Sequence, residues 1–156
     1  MKQFFLALGL FAALATTPAQ AASQDECAIW ICLPGAFLPS GCGAAKSAMI
    51  KRIKKLKSPL PSFSSCAANP PSGSGSHMTS TYGFAAFVPA HKVCSRYSDH
   101  DDPQCFAWGM VPDRYIKYTQ CQMDGDGERH PRGCTRTYRW AEVFVDGQLA
   151  GPTYYW

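Results

Sequence analysis

Eight cysteines, all downstream of a segment with the features of an export signal, constrain this chain more than any other part of its sequence. They are Cys27, Cys32, Cys42, Cys66, Cys94, Cys105, Cys121 and Cys134. In an exported chain an even number of cysteines indicates a disulfide framework, whose pairing the sequence leaves open. We therefore predict that these cysteines are structural and form up to four disulfide bonds.

The first 21 residues have the three parts of a secretory signal in the right order. Lys2 supplies the positive charge, Phe4–Leu14 is an apolar run, and Ala19-Gln20-Ala21 fits the small-x-small cleavage pattern. The apolar run is too short for a membrane anchor, and no second run of this kind follows. We expect residues 1–21 to be a signal peptide cleaved near Ala21, and the mature protein to be periplasmic or extracellular, without a transmembrane segment.

Composition divides the mature chain into three parts. Residues 22–57 are rich in cysteine and helix formers, residues 58–81 have the Pro/Ser/Gly composition of a linker pinned by Cys66, and residues 82–156 are rich in aromatic and β-branched residues. This order predicts a disulfide-stapled single domain of the α+β class, with an N-terminal basic helix and a C-terminal antiparallel β-sheet.

One helix is predicted by periodicity over Ala44–Lys57, where Ser58-Pro59 should end it. Its apolar stripe consists of Ala45, Met49, Ile53 and Leu56. The spacing of Cys27 and Cys32 fits either one helical turn plus a residue or an extended piece held at both ends.

The positive charge of the mature chain is concentrated on this helix. Its basic residues are Lys46, Lys51, Arg52, Lys54, Lys55 and Lys57. They form either an ordinary solvated face or an interaction patch for anionic lipid, for DNA or for an acidic partner protein. Few aromatic residues lie among them, which argues against base stacking on single-stranded nucleic acid.

Strands are predicted around Tyr82–Val88, Tyr115–Thr119 and Thr135–Val145. Asp146-Gly147 predicts a tight turn after Val145, with Gln148-Leu149-Ala150 as the returning strand. Alternation places Tyr138, Trp140 and Glu142 on one face of the long strand, and Arg139, Ala141, Val143 and Val145 on the other.

Two further inferences concern the cysteines and the chain end. The four early and the four late cysteines should pair mostly within their own groups, because this minimises loop closure across the flexible linker. The terminal Tyr154-Tyr155-Trp156 fits either core packing or a protein-docking edge.

Metal and redox sites have little support. Asp124–Glu128 resembles a calcium loop but has Arg129 and Thr135 where the EF-hand needs glycine and glutamate, so we predict an acidic turn. Asp99–Asp102, followed by Pro103, offers metal ligands but favours an exposed loop. The absence of a C-x-x-C pair argues against zinc and thioredoxin-like chemistry. We expect no metal and no cofactor.

Catalytic motifs are also missing from the sequence. There is no G-x-S-x-G elbow, and the only glutamates, Glu26, Glu128 and Glu142, do not form a recognisable catalytic pair. We predict that the protein is not an enzyme and has no small-molecule substrate.

Three segments together carry a resemblance to a known group. They are Cys27–Pro34 with Ser40-Gly41-Cys42, Pro59–Cys66, and Cys134–Arg139 with Gly151–Trp156. The chain resembles the small exported proteins encoded in conjugal-transfer regions of proteobacterial plasmids and integrative elements, often labelled TraL. This resemblance implies a non-catalytic envelope accessory to DNA transfer by type IV secretion, with envelope or secretion-apparatus proteins as partners. The alternative is a secreted disulfide-rich effector or inhibitor.

Overall fold

The computed structural model describes residues 22–66, 77–98 and 104–156. This part of the chain contains helices α1 (Gln24–Cys32) and α2 (Gly43–Lys54), a 3-10 turn (Phe63–Ser65) and nine strands. The strands are β1 (Met78–Val88), β2 (His91–Tyr97), β3 (Cys105–Val111), β4 (Arg114–Lys117), β5 (Gln122–Met123), β6 (Arg129–His130), β7 (Arg136–Val145), β8 (Gln148–Leu149) and β9 (Tyr154–Tyr155). The α+β class with antiparallel sheets is confirmed. The predicted signal peptide lies outside the described residues.

Helix α1 begins at a capping box. The Ser23 hydroxyl accepts a hydrogen bond from the backbone N–H of Glu26, and the Glu26 carboxylate accepts one from the N–H of Ser23. The segment between Cys27 and Cys32 is therefore helical, which resolves the alternative that the sequence left open.

Helix α2 ends at Lys54, three residues earlier than predicted. Leu56 adopts a left-handed conformation with φ of 57°, so the chain leaves the helix before Ser58-Pro59. Ala45 and Met49 are buried as expected, but Leu56 is 93% exposed and does not belong to the apolar stripe. The prediction for Leu56 was wrong because periodicity does not detect the residue that ends a helix.

The main sheet has the strand order β4-β1-β7-β8, and β9 pairs with β7. Val145 pairs with Gln148 across a two-residue turn, in which Asp146 and Gly147 both have positive φ. This is the geometry that an Asp-Gly hairpin turn requires, and it confirms the predicted hairpin.

The main hydrophobic core lies between this sheet and the helices. From β7 it receives Ala141 and Val143, which belong to one of the two predicted faces. Its other buried members are Ile29, Trp30, Cys32, Leu33, Phe37, Cys42, Ala45, Met49 and Leu60. On the opposite face of β7, Trp140 and Glu142 are also buried.

The predicted linker, residues 58–81, is wrong at both ends. Leu60 is 3% exposed in the core, and Phe63 makes an edge-to-face contact with Trp30 at 5.4 Å between ring centroids. Strand β1 begins at Met78 rather than at the expected position 82. The prediction failed here because it used proline and serine content, which does not show that this segment packs against α1. Residues 67–76 lie outside the described part.

All eight cysteines form disulfide bonds. The pairs are Cys27–Cys66, Cys32–Cys42, Cys94–Cys105 and Cys121–Cys134. Each pair lies within its early or late group, which confirms the predicted grouping. Four disulfide bonds fit an exported protein. In the ranges that the structure describes, neither helix is long and apolar enough to cross a membrane.

Candidate functional site

Strands β2 and β3, together called the β-arm below, continue the ribbon formed by β1 and β4. Val88 pairs with Arg114 and, three residues further along each strand, His91 pairs with Val111, so the register is unchanged. A proline lies between β1 and β2 and another between β3 and β4. Because proline has no N–H to donate, these residues interrupt the hydrogen-bonding ladder between the two parts. These prolines are Pro89 and Pro112. The β-arm is thus an extension of the main sheet, although it lies beyond the helical cover.

The β-arm exposes a row of large apolar side chains. Phe106, Trp108 and Met110 alternate along β3, and their exposed fractions are 60%, 64% and 64%. Alternate residues of a strand share a face, so these three form one stripe. Together they present about 400 Å² of apolar surface, as much as the largest patch on a typical soluble monomer. Neither hydrophobic cluster in the described residues contains a side chain of the β-arm.

Two cations lie beside this stripe. Lys92 is paired directly with Met110 and therefore shares its face. The guanidinium carbon of Arg96 lies 5.7 Å from the centre of the Phe106 ring. An apolar stripe with cations at its side suits a protein segment that carries apolar residues and carboxylates.

The β-arm is held rigid from within. The Cys94–Cys105 disulfide joins its strands, and beyond it the N–H of Ser98 donates to the carbonyl of Gln104 at 2.9 Å. A two-stranded ribbon by itself is marginally stable in water. The disulfide therefore holds together a ribbon that has little buried apolar surface of its own.

The six basic residues in and just after α2 differ in exposure. The lysine side chains at 46, 51, 54, 55 and 57 are exposed. Arg52 is instead 12% exposed: it forms an ion pair with Glu26 at 2.9 Å and donates to the carbonyl of Leu60 at 3.2 Å. Arg52 therefore joins α1, α2 and the following segment, and it is not available to a partner.

Glu26 is the counterpart of Arg52. The hydrogen bond from Arg52 holds the pKa of this carboxyl below its usual value, against a smaller opposing effect of burial. A groove of about 380 Å³ lies beside this pair, and its lining includes Lys51, Lys55 and Asp25. Charges of both signs line the groove, so it does not define a site for an anion.

In the acidic turn between β5 and β6, the carboxylate of Asp124 finds its hydrogen-bond partners within the same hairpin. One oxygen of Asp124 accepts from the backbone N–H groups of Asp126 and Glu128, and the other lies 2.7 Å from Nε2 of His130. The hydrogen bond from His130 contributes most to the lowered pKa of Asp124. These contacts are typical of a structural turn. In the described ranges no cluster of potential metal ligands is found, and Asp99–Asp102 lies outside them.

The terminal aromatic residues pack on the protein itself. Tyr154 contacts Phe37 edge to face at 5.2 Å, and Trp156 packs against the main core. Tyr155 stacks on Tyr115 at 3.8 Å, and burial raises the pKa of Tyr115. Of the two interpretations, core packing is the one that the structure supports, because Tyr154 and Trp156 pack against the main core and Tyr155 packs on Tyr115.

Glu142 is the buried carboxylate of the sheet. It is 7% exposed, and Lys117 and Thr153 donate hydrogen bonds to it. Burial raises its pKa, but these hydrogen bonds outweigh burial and hold the pKa below its usual value. The ionised carboxylate thus joins β4, β7 and the segment before β9, as a structural group.

Sequence reasoning missed the β-arm, although a signal was present. The segment Cys105–Val111 alternates large and small residues with period two, as an exposed or half-buried strand does. The prediction of strands relied on runs of β-branched and aromatic residues, and Ala107 and Gly109 break such a run. Comparison of the chain with protein-family models, with curated proteins and with solved structures gave no match.

Proposed function

We propose that this protein is an exported, non-catalytic accessory protein of the bacterial envelope, which supports conjugal DNA transfer by type IV secretion through protein contacts. The observation that carries a binding role is the rigid β-arm with its apolar stripe of Phe106, Trp108 and Met110. Large exposed patches on soluble proteins mark interaction sites, and tryptophan is a preferred anchor at interfaces.

The link with conjugation comes from the resemblance of three sequence segments to small conjugal-transfer proteins. The disulfide bonds agree with work in the envelope, where an oxidising environment maintains them. A partner in the envelope or secretion apparatus would fit the stripe if it offers an apolar segment flanked by carboxylates. Such carboxylates would face Lys92 and Arg96.

The experiment is a mating assay with a donor that lacks this gene and carries a plasmid-borne copy. The wild-type copy should restore the transfer frequency. A copy with Phe106→Ser, Trp108→Ser and Met110→Ser should not, because truncation of a hot-spot side chain costs about 2 kcal/mol or more of binding free energy.

The control replaces three apolar residues that lie outside the β-arm and are more exposed than those of the stripe. These are Ile31, Leu38 and Leu56, changed together to serine. The control copy should restore transfer. If deletion of the gene leaves transfer unchanged, the conjugation proposal is contradicted, and the alternative of a secreted effector or inhibitor gains support. If the β-arm variant restores transfer as well as the control, the β-arm does not carry the contact.

We further propose that the exposed lysines of α2 assist attachment to an anionic surface, either lipid or DNA. Vesicles with and without phosphatidylglycerol, and double-stranded DNA, are the probes. Binding should weaken steeply with salt and disappear when Lys51, Lys54 and Lys55 are changed to Gln. Binding that is absent, or insensitive to salt, would return these lysines to an ordinary solvated face.

A further inference from the structure

The two strands of the β-arm differ in how their outer edges are protected. In the described residues β2 and β3 pair only with each other, so each has one unpaired edge. Strand β2 carries Lys92 and Arg96, and its register shifts between Cys94 and Tyr97. Charges and bulges of this kind protect an edge from pairing with another chain.

Strand β3 lacks the charges, but it shares the irregular pairing: one register shift leaves out Ser95 of β2 and the other leaves out Phe106 of β3. Its sequence, Cys-Phe-Ala-Trp-Gly-Met-Val, contains no charged residue and no proline over seven positions. An uncharged, apolar edge strand is a template for another strand, and natural proteins usually cover it. We therefore expect another strand to cover the free edge of β3.

The side-chain pattern of β3 is symmetric about its centre. Large residues stand at 106, 108 and 110, and small residues, Ala107 and Gly109, stand between them. In an antiparallel pair of two β3 strands centred on Trp108, each Phe106 lies opposite Met110 of the second copy, and the two Trp108 side chains face each other. Large residues thus meet large residues on one face, and small residues meet small residues on the other.

We propose that β3 pairs antiparallel with β3 of a second copy of this chain, forming a homodimer about a two-fold axis at Trp108. A two-fold interface must be complementary to itself, and the symmetric pattern of β3 meets this condition. Aromatic pairs and sulfur–aromatic contacts across neighbouring strands are favourable. The four-stranded sheet that results has the order β2-β3-β3-β2.

Charge supports the second copy as the occupant. Because β3 carries no charge, its self-pairing brings no like charges together at the shared edge. Lys92 and Arg96 lie on β2, which becomes the outer strand of the four-stranded sheet. The six apolar side chains of the two copies then form one continuous stripe between two rows of cations. This dimer does not depend on a role in conjugation, and it leaves the face of the stripe free for a partner.

The test uses pairs of charges on the small-residue face. Ala107 of one copy lies opposite Gly109 of the other, and a Cβ at Gly109 has no heavy atom closer than 3.8 Å, so side chains fit there. Variant A107K/G109K brings lysines opposite lysines, and variant A107E/G109E brings glutamates opposite glutamates. Sedimentation equilibrium of the mature protein, purified with its disulfides intact, measures the dimer dissociation constant.

We expect the wild type to be a dimer, and each charged variant alone to dissociate with a dissociation constant raised by about tenfold or more. An equimolar mixture of the two variants should form a heterodimer, because lysine then faces glutamate. This rescue also excludes misfolding as the cause of dissociation.

Three results would overturn the proposal. The first is a wild-type protein that remains monomeric at all concentrations measured. The second is a dimer that the charged variants leave unchanged, which would locate the interface elsewhere. The third is dissociation of both variants without rescue in the mixture. None of these results bears on the mating assay, so the dimer and the proposed function fail separately.

Discussion

Strands β1 and β4 of the main sheet continue into the β-arm without a change of register at the junction, yet the side chains of the two regions have opposite surroundings. Trp140 on β7 is completely buried, whereas Trp108 on β3 is 64% exposed. The main sheet is covered by the helices and by the Cys121–Cys134 loop, which packs on Ala86 and Val88. The β-arm extends beyond both covers. Tertiary cover, and not strand pairing, therefore determines which alternating residues become core.

The two tryptophans provide the strongest test of this comparison. Trp140→Ala should lower the free energy of unfolding by about 3–5 kcal/mol, because it leaves a cavity in the sheet and the Phe84 carbonyl loses its hydrogen bond from the indole. At concentrations low enough for the chain to be monomeric, Trp108→Ala should change it by less than about 0.5 kcal/mol. Denaturant unfolding measures both values. Equal losses would show that the β-arm is part of the cooperative core.

The disulfide bonds offer a second contrast between the regions. Replacement of Cys27 and Cys66 by serine should lower the free energy of unfolding by about 2–4 kcal/mol, because this bond ties α1 to the chain before the sheet. Replacement of Cys94 and Cys105 should leave the main transition nearly unchanged and release the β-arm locally.

Hydrogen exchange distinguishes the two disulfide variants. In the Cys94/Cys105 variant, amides of β2 and β3 should lose protection while those of β1 and β7 retain it. Uniform loss of protection across the molecule would contradict the separation of arm and core.

The third prediction concerns the contact between the C-terminal segment and the turn after α1. A Cβ atom at Gly151 would collide with the backbone of Pro34. Gly151→Ala should therefore lower the free energy of unfolding by about 1–3 kcal/mol. Gly125→Ala is the matched control, because a Cβ there meets no atom within 4 Å. A neutral Gly151→Ala would show that this contact is not tight.

Glu142, the buried carboxylate of the main sheet, should make a smaller contribution that depends on pH. The pKa of Glu142 is lower in the folded protein than in the unfolded chain, so its contribution to stability is complete above the ordinary glutamate pKa of about 4.3. That contribution is lost as the pH falls through the lower, folded pKa. Glu142→Gln should flatten this acid limb of the stability curve, measured by thermal unfolding between neutral and acidic pH.

Glu128→Gln serves as the control for this pH dependence. Glu128 is exposed in the acidic turn and forms no ion pair with any residue of the described ranges. Its replacement should leave the acid limb in place. An acid limb that persists in Glu142→Gln would assign the pH dependence to other carboxylates, of which Glu26 is the first candidate.

Much of the fold follows from local sequence signals. The apolar stripe of α2 at Ala45 and Met49, and the Asp146-Gly147 turn with its two strands, each depend on a few neighbouring residues. The grouping of the disulfides follows from short loops. The candidate site was harder to predict, because an alternating stripe looks the same in sequence whether a cover lies over it or not.

Local signals in the chain were enough to predict the class of the fold, the grouping of its disulfide bonds and its hairpin turn, because turn conformation and loop closure depend mainly on residues that are near in sequence. Three features could be seen only once the chain was folded: Leu60 enters the core, Arg52 links α1 to α2, and the stripe of Phe106, Trp108 and Met110 remains exposed. The physical reason is that burial depends on which elements pack over a residue, and those elements come from distant parts of the chain.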